Sequence, residues 1–186
     1  WINSGNAPVT FQNGLSYSGK TSGFTAGSGS YTFQTTASQS IGGTLAFTIP
    51  NLVVDAGVNL TNNNNNGGLT VTTALSGTGT LTQGASGLLN LGMADGDFTI
   101  TTLVASAAGN TVNYSGADQT VQPIVYHHLT LSGGGAKTLT GLTTVNGSLA
   151  LSGSATSATT AANLAIGGNL TVGGGAFLTV DAFDFS

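Results

Sequence analysis

Six aspartates, Asp55, Asp95, Asp97, Asp118, Asp181 and Asp184, are the only carboxylates in a chain that has no Glu, no Arg and no Cys. Any general acid or base must come from this set or from the single imidazole pair, His127 and His128. Glycoside hydrolysis needs two carboxylates facing one bond from opposite sides. Ca²⁺-assisted elimination needs an oxygen-ligand cluster and a basic residue, and Lys20 and Lys137 are the only lysines. Asp95-Gly-Asp97 places two oxygen donors around a flexible residue, as a Ca²⁺ site would, but neither a Glu nor a third acid follows nearby. It reads as a solvated turn before it reads as a metal site. Neighbouring residues of a strand point to opposite faces, so His127 and His128 are poorly placed to chelate one ion and read as structural or exposed. Among so many serines none stands out as a nucleophile with its own His and Asp. The expectation is a protein that is not an enzyme, with no catalytic, cofactor or metal site.

The elements that carry these residues are short. Leu69-Thr-Val-Thr72, Phe98-Thr-Ile-Thr101, Leu129-Thr-Leu-Ser132 and Leu170-Thr-Val172 alternate apolar and hydroxyl side chains and are closed by Gly-rich turns, the pattern of half-buried strands. Thr and Val are stiff at χ1 and suit a pleated surface, whereas Ser, Thr and Asn compete with helical hydrogen bonds. Even the least strand-like stretch, 155–164, lacks the charged pairs that support a helix.

Composition narrows the function classes. Only 4% of residues are charged, against roughly 25% in an ordinary soluble domain. With 39% hydrophobic residues and a net charge of −4, the chain does not have the low hydrophobicity and high charge of a disordered one. Two lysines and no arginine leave nothing to neutralise phosphates or read base edges, which excludes nucleic acid. The same shortage argues against anionic membrane surfaces, and no apolar run is long enough for a spanning helix, so no membrane insertion is expected. Without Cys there is neither a disulfide framework nor a thiolate site. A start at Trp1 with no charged and apolar leader suits a secreted product after signal removal, or a trimmed piece.

The chain repeats itself at two scales. Val145-Asn-Gly-Ser-Leu-Ala-Leu-Ser-Gly153 matches Ile166-Gly-Gly-Asn-Leu-Thr-Val-Gly-Gly174, about 21 residues on. A looser match sets Tyr31 and its followers beside Val112, and Pro50 beside His127, giving a larger unit of about eighty residues. A repeat of about 21 residues cannot bury its own apolar face and must stack on the next copy. The expected fold is therefore all-β: one elongated domain over 1–186, with approximate internal repeats 31–110 and 111–186, wound as a β-solenoid. The alternative is one or two β-sandwiches exchanging strands between subunits.

Asn110-Thr-Val-Asn-Tyr-Ser-Gly-Ala-Asp-Gln-Thr-Val121, Tyr126-His-His-Leu-Thr-Leu-Ser-Gly133, Ala136-Lys-Thr-Leu139 and Val145-Asn-Gly-Ser-Leu-Ala-Leu151 resemble the repeats of large secreted bacterial surface proteins. These are adhesin-like chains similar in style to filamentous haemagglutinin and autotransporter passenger domains. The resemblance covers most of 30–180, and its motifs are compositional and tied to no reaction. It implies an extracellular, non-catalytic architecture resembling a right-handed β-helix.

The ends carry the candidate contact residues. Trp1 and Ile2 form an apolar start, and the alternating segment 176–185 carries Phe177, Val180, Phe183 and Phe185. Asp181 and Asp184 are its only charges, and no Lys follows Lys137 to block the edge. Trp1, Ile2, Phe177, Val180, Phe183 and Phe185 are the expected assembly interface of a cell-surface filament subunit. Its partner would be itself, head to tail or by strand exchange. Two other readings stay open. One is a module binding surface glycans, with Trp1, Tyr17, Tyr31, Tyr114 and Tyr126 as stacking residues. The other is an ice-binding solenoid, suggested by Thr-x-Thr triplets at Thr70, Thr80, Thr99 and Thr138 that do not recur at one spacing. The run 62–66 of five Asn reads as a turn or as a ladder of stacked amides.

Overall fold

The computed structural model describes residues 1–35, 38–153 and 157–180. Their regular structure is short strands, and no helix occurs among them. Nine strands form the longest sheet: Val9–Phe11, Ser30–Phe33, Phe47–Val54, Leu69–Ser76, Leu88–Leu91, Thr111–Tyr114, His128–Leu131, Leu149–Leu151 and Leu170–Val172, paired in that order. A five-stranded sheet stacks Leu15–Tyr17, Ser38–Gly43, Asn59–Asn62, Thr80–Gln83 and Thr102–Val104. A four-stranded sheet stacks Gln119–Thr120, Ala136–Leu139, Ser157–Thr160 and Phe177–Val180, and Thr144–Val145 pairs with Ala165–Ile166. Single bridges from Ala105 to Tyr126 and from Tyr126 to Val145 carry the five-stranded side on to that last pair.

Every pairing is parallel, and each joins a strand to one about a circuit further along the chain. The backbone is therefore a β-solenoid of about eight turns, with successive turns about 21 residues apart. The expected all-β solenoid and its coil length hold. The sandwich alternative needs antiparallel strands and is excluded by the parallel register. At about 4.8 Å per strand, nine stacked strands make a body roughly 40 Å long.

Two eight-residue strands show how the sides meet. Pairing between Phe47–Val54 and Leu69–Ser76 slips between Ile49 and Asn51, so each strand turns a corner. Before the slip, Phe47, Leu69 and Leu89 stack; after it, Leu52 and Leu75 continue the column from Val9 and Tyr31. One column runs Phe47, Leu69, Leu89, Val112, Leu129, Leu149 and Leu170, and beside it runs Ile49, Val71, Leu91, Tyr114, Leu131, Leu151 and Val172. These side chains form the core because alternation turns every second residue inward, and the residues between them, such as Thr70, Asn90, Asn113 and Thr130, line the outside. No single circuit encloses a core, so burial depends on the turns above and below.

Glycine sets how closely circuits approach at the corners. Gly77 has φ +110°, and a Cβ there would lie 2.0 Å from the Val54 carbonyl oxygen of the preceding circuit. Gly133, at φ +83°, would meet the Ser115 carbonyl at 2.1 Å. Only a residue without Cβ fits both the left-handed backbone and the contact.

Candidate functional site

The interior is not wholly apolar. Asn62, Asn64, Gln83, Asn110, Gln119 and Lys137 are buried, and each is directed at main-chain groups or amides of a neighbouring circuit. The Asn62 side chain donates to Gln83 Oε1 at 2.8 Å and to the Leu88 carbonyl at 2.9 Å. Asn64 donates to the Leu45 carbonyl at 2.8 Å, and the Asn64 main chain donates to Asn62 Oδ1. The run 62–66 is thus a corner in which alternate amides turn inward and fasten the circuits on either side. It combines the turn and the ladder that the sequence offered as alternatives.

Gln119 and Lys137 stack on each other at a second corner. Gln119 Nε2 donates to the carbonyls of Leu91 and Met93, while Gln119 Oε1 accepts from the main chain of Gly116. Lys137 Nζ donates to the carbonyls of Gly116, Ala117 and Gly134, so its direct hydrogen bonds all go to main-chain groups. Burial lowers the Lys137 pKa from its ordinary value, with Asp118 and Asp95 acting in the opposite direction. Alternation puts Lys137 on the face of Leu139, but its charge argues against burial, and the glycine-rich corner carbonyls that meet that charge are not placed by the sequence.

Asp95 is committed to the fold. Its two carboxylate oxygens accept from the main chain and hydroxyl of Thr120, on the next circuit. Asp118 Oδ1 likewise accepts from the main chain of Ala136. Among the described residues, no group of three or more His, Cys, Asp and Glu is placed to hold a metal ion.

The histidines depart from expectation. His127 precedes the strand His128–Leu131 at a corner, so the two rings do not lie on opposite faces; they meet edge to face with centroids 4.2 Å apart. Each Nδ1 accepts from a main-chain N–H, His127 from Gly109 at 3.2 Å and His128 from Ser148 at 3.0 Å.

Three of the five aromatic residues suggested for glycan stacking are unavailable. Tyr31, Tyr114 and Tyr126 are buried. The hydroxyls of Tyr114 and Tyr126 are 2.8 Å apart, and both bond to the main chain of Gln122. Burial pushes Tyr114 up to about 12 and raises Tyr126 well above its ordinary value. Trp1 and Tyr17 remain at the surface and line an apolar cavity of about 330 Å³ with Val9, Phe11, Leu15 and Phe24. Trp1 stacks on Phe24 at 5.1 Å and sets its edge against Tyr31 at 6.1 Å.

That cavity lies where the strand stacks begin. Val9–Phe11 and Leu15–Tyr17 are the outermost strands of their sheets, and Trp1 and Ile2 beside them are 55% and 70% exposed. At the other end, Leu170–Val172 and Phe177–Val180 are outermost among the described residues. Leu170 and Val172 occupy inward columns yet are 44% and 45% exposed, whereas Leu149 and Leu151 beneath them are buried. Phe177 faces outward and is 66% exposed, and Val180 is partly covered. Trp1 and Ile2 thus lie at one end and Phe177 and Val180 at the other; Phe183 and Phe185 fall outside the described residues. Leu170 and Val172 were missed as end residues, although their place in the repeat that starts at Ile166 marks them as core residues.

No family model, no curated protein and no solved structure matches the chain, so the reading of its ends and corners rests on its own residues.

Proposed function

We propose that this chain is a non-catalytic structural subunit of an extracellular filament, sheath or surface fibre, joined to further copies of itself head to tail through the open β-edges at its ends. The observation that carries the reading is the exposure of Leu170 and Val172, two members of otherwise sealed core columns. Outermost strands present unpaired N–H and C=O groups, and a parallel stack extends by adding one more strand in register. The trimmed core at one end and the aromatic cavity bounded by Trp1 and Phe24 at the other offer apolar surface to match. Low surface charge removes the repulsion that would hold copies apart. A glycan-binding module of a larger adhesin is the weaker reading, because most of its stacking residues are buried.

Sedimentation velocity over a wide concentration range tests this. The wild-type chain is expected to grow into rod-shaped species. A Leu170→Asp, Val172→Asp variant with an unchanged β circular-dichroism spectrum is expected to stay monomeric. Thr48→Asp, which puts a charge on an exposed outer position, should assemble like the wild type. A wild-type chain that stays monomeric at the highest concentration overturns the reading.

A further inference from the structure

The corner at His127 and His128 is built from three successive circuits. His127 N–H donates to the Ala105 carbonyl at 2.8 Å and His128 N–H to the Asn110 carbonyl at 3.1 Å, both on the circuit before. The His127 carbonyl accepts from Gly147 at 2.7 Å, on the circuit after. The rings repeat this division: His127 Nδ1 takes the N–H of Gly109 from the circuit before, and His128 Nδ1 takes that of Ser148 from the circuit after. The packing is close, since a Cβ on Gly147 would fall 2.6 Å from His128 Nδ1.

An Nδ1 that accepts a hydrogen bond carries no proton, so each neutral ring holds its proton on Nε2. Two consequences follow. First, Nε2 is a donor and offers no lone pair to a metal, because freeing it would require a proton on Nδ1, against a main-chain N–H. Second, an imidazolium has N–H at both positions, so protonation of His128 sets donor against donor at Ser148. It also places a cation against the His127 ring, whose centroid is 4.2 Å away.

We propose that His128, packed edge to face against His127, is an acid-released fastener between its own circuit and the one after, closed while its ring is neutral and opened when it takes up a proton. No carboxylate or lysine lies on the elements packed around the corner, which are Thr102–Val104 with Ala105, Thr111–Tyr114, Thr144–Val145 and Leu149–Leu151. The titratable side chains there are Tyr114 and Tyr126, which burial keeps neutral throughout the acidic and neutral range. Nothing nearby therefore stabilises the charged His128 ring. Burial, and then the neighbouring His127, lower the His128 pKa from 6.5. The folded chain thus binds fewer protons than the unfolded one within this window. The stability the fastener contributes is present above pH 6.5 and is lost as the pH falls through the folded value.

The test is thermal unfolding of the dilute chain at about pH 7.5 and about pH 5, with hydrogen exchange at the Ser148 amide. Wild type is expected to lose on the order of 5 °C of Tm at the lower pH and to lose protection at that amide. In His128→Asn the Asn Oδ1 stands where Nδ1 stood and accepts the same bond without titrating. That variant should keep its Tm across the range. A flat wild-type profile, or the same loss in the variant, overturns the proposal. Should the variant fail to fold, NMR titration of the wild type decides. The Ser148 amide shift must then follow the His128 imidazole C–H titration, and an amide that ignores it overturns the proposal.

Discussion

The Asn62 side-chain amide donates to that of Gln83, one circuit further on, across 2.8 Å with both side chains fully buried. In a core of stacked Leu, Ile and Val this pair fixes which circuit lies over which, because a slipped register would leave buried amides unmet. Apolar columns alone tolerate slippage, since one Leu stacks on another as readily as on its own partner.

Replacing Asn62 with Leu leaves Gln83 Oε1 and the Leu88 carbonyl unmet inside the core. The expected cost is about 2–3 kcal/mol, read as a lower midpoint in urea. Replacing Asn62 and Gln83 together by Leu should cost less than the two single changes summed, because no amide is then orphaned by its partner.

Lys137→Met removes the donor that serves Gly116, Ala117 and Gly134 and should destabilise by about 3 kcal/mol. The pH dependence has a definite sign. A lysine held below 10.5 by burial binds fewer protons folded than unfolded, so the stability of the wild type rises with pH through that window. The urea midpoints of wild type and Lys137→Met should therefore diverge as the pH is raised toward 10.5. Parallel curves would show that the ammonium is not desolvated.

Two glycines separate close approach from backbone conformation. Gly77→Ala forces a Cβ onto the Val54 carbonyl and should cost about 3 kcal/mol or more, whereas Gly96 has a similar φ of +94° with nothing within 4 Å. Gly96→Ala should cost only about 1 kcal/mol. Equal Tm losses would mean that the circuits do not approach as closely at Gly77 as the stacking requires.

Much of the fold was legible in the sequence where the repeat was most regular. The match of Val145 with Ile166 and of Leu149 with Leu170 is the strand register itself. Elsewhere the circuits vary from the short step between Val112 and Leu129 to the long one between Leu15 and Ile41, and no single offset recovers them. The polar interior was not legible. Hydrophobic alternation places Asn62, Gln83, Gln119 and Lys137 on the inward face with Leu60, Leu81, Val121 and Leu139, but their polarity argues for the outside, and only the inward-facing carbonyls at the corners make their burial favourable. The tyrosines mislead in the opposite way: a polar tip suggests a surface, but Tyr114 and Tyr126 satisfy each other's hydroxyls inside. At the ends Trp1, Ile2 and Phe177 are exposed, and their part in assembly belongs to the proposed function.

The central claim is that copies of this solenoid add to one another along the stacking axis. Fibre diffraction, with electron microscopy of the assembled chain, tests it most directly. The expected result is a meridional reflection near about 4.8 Å, from strands perpendicular to the fibre axis, and an axial subunit repeat of roughly 40 Å. Concentrated material that stays as separate short particles, or fibres whose strands run along the axis, would contradict it.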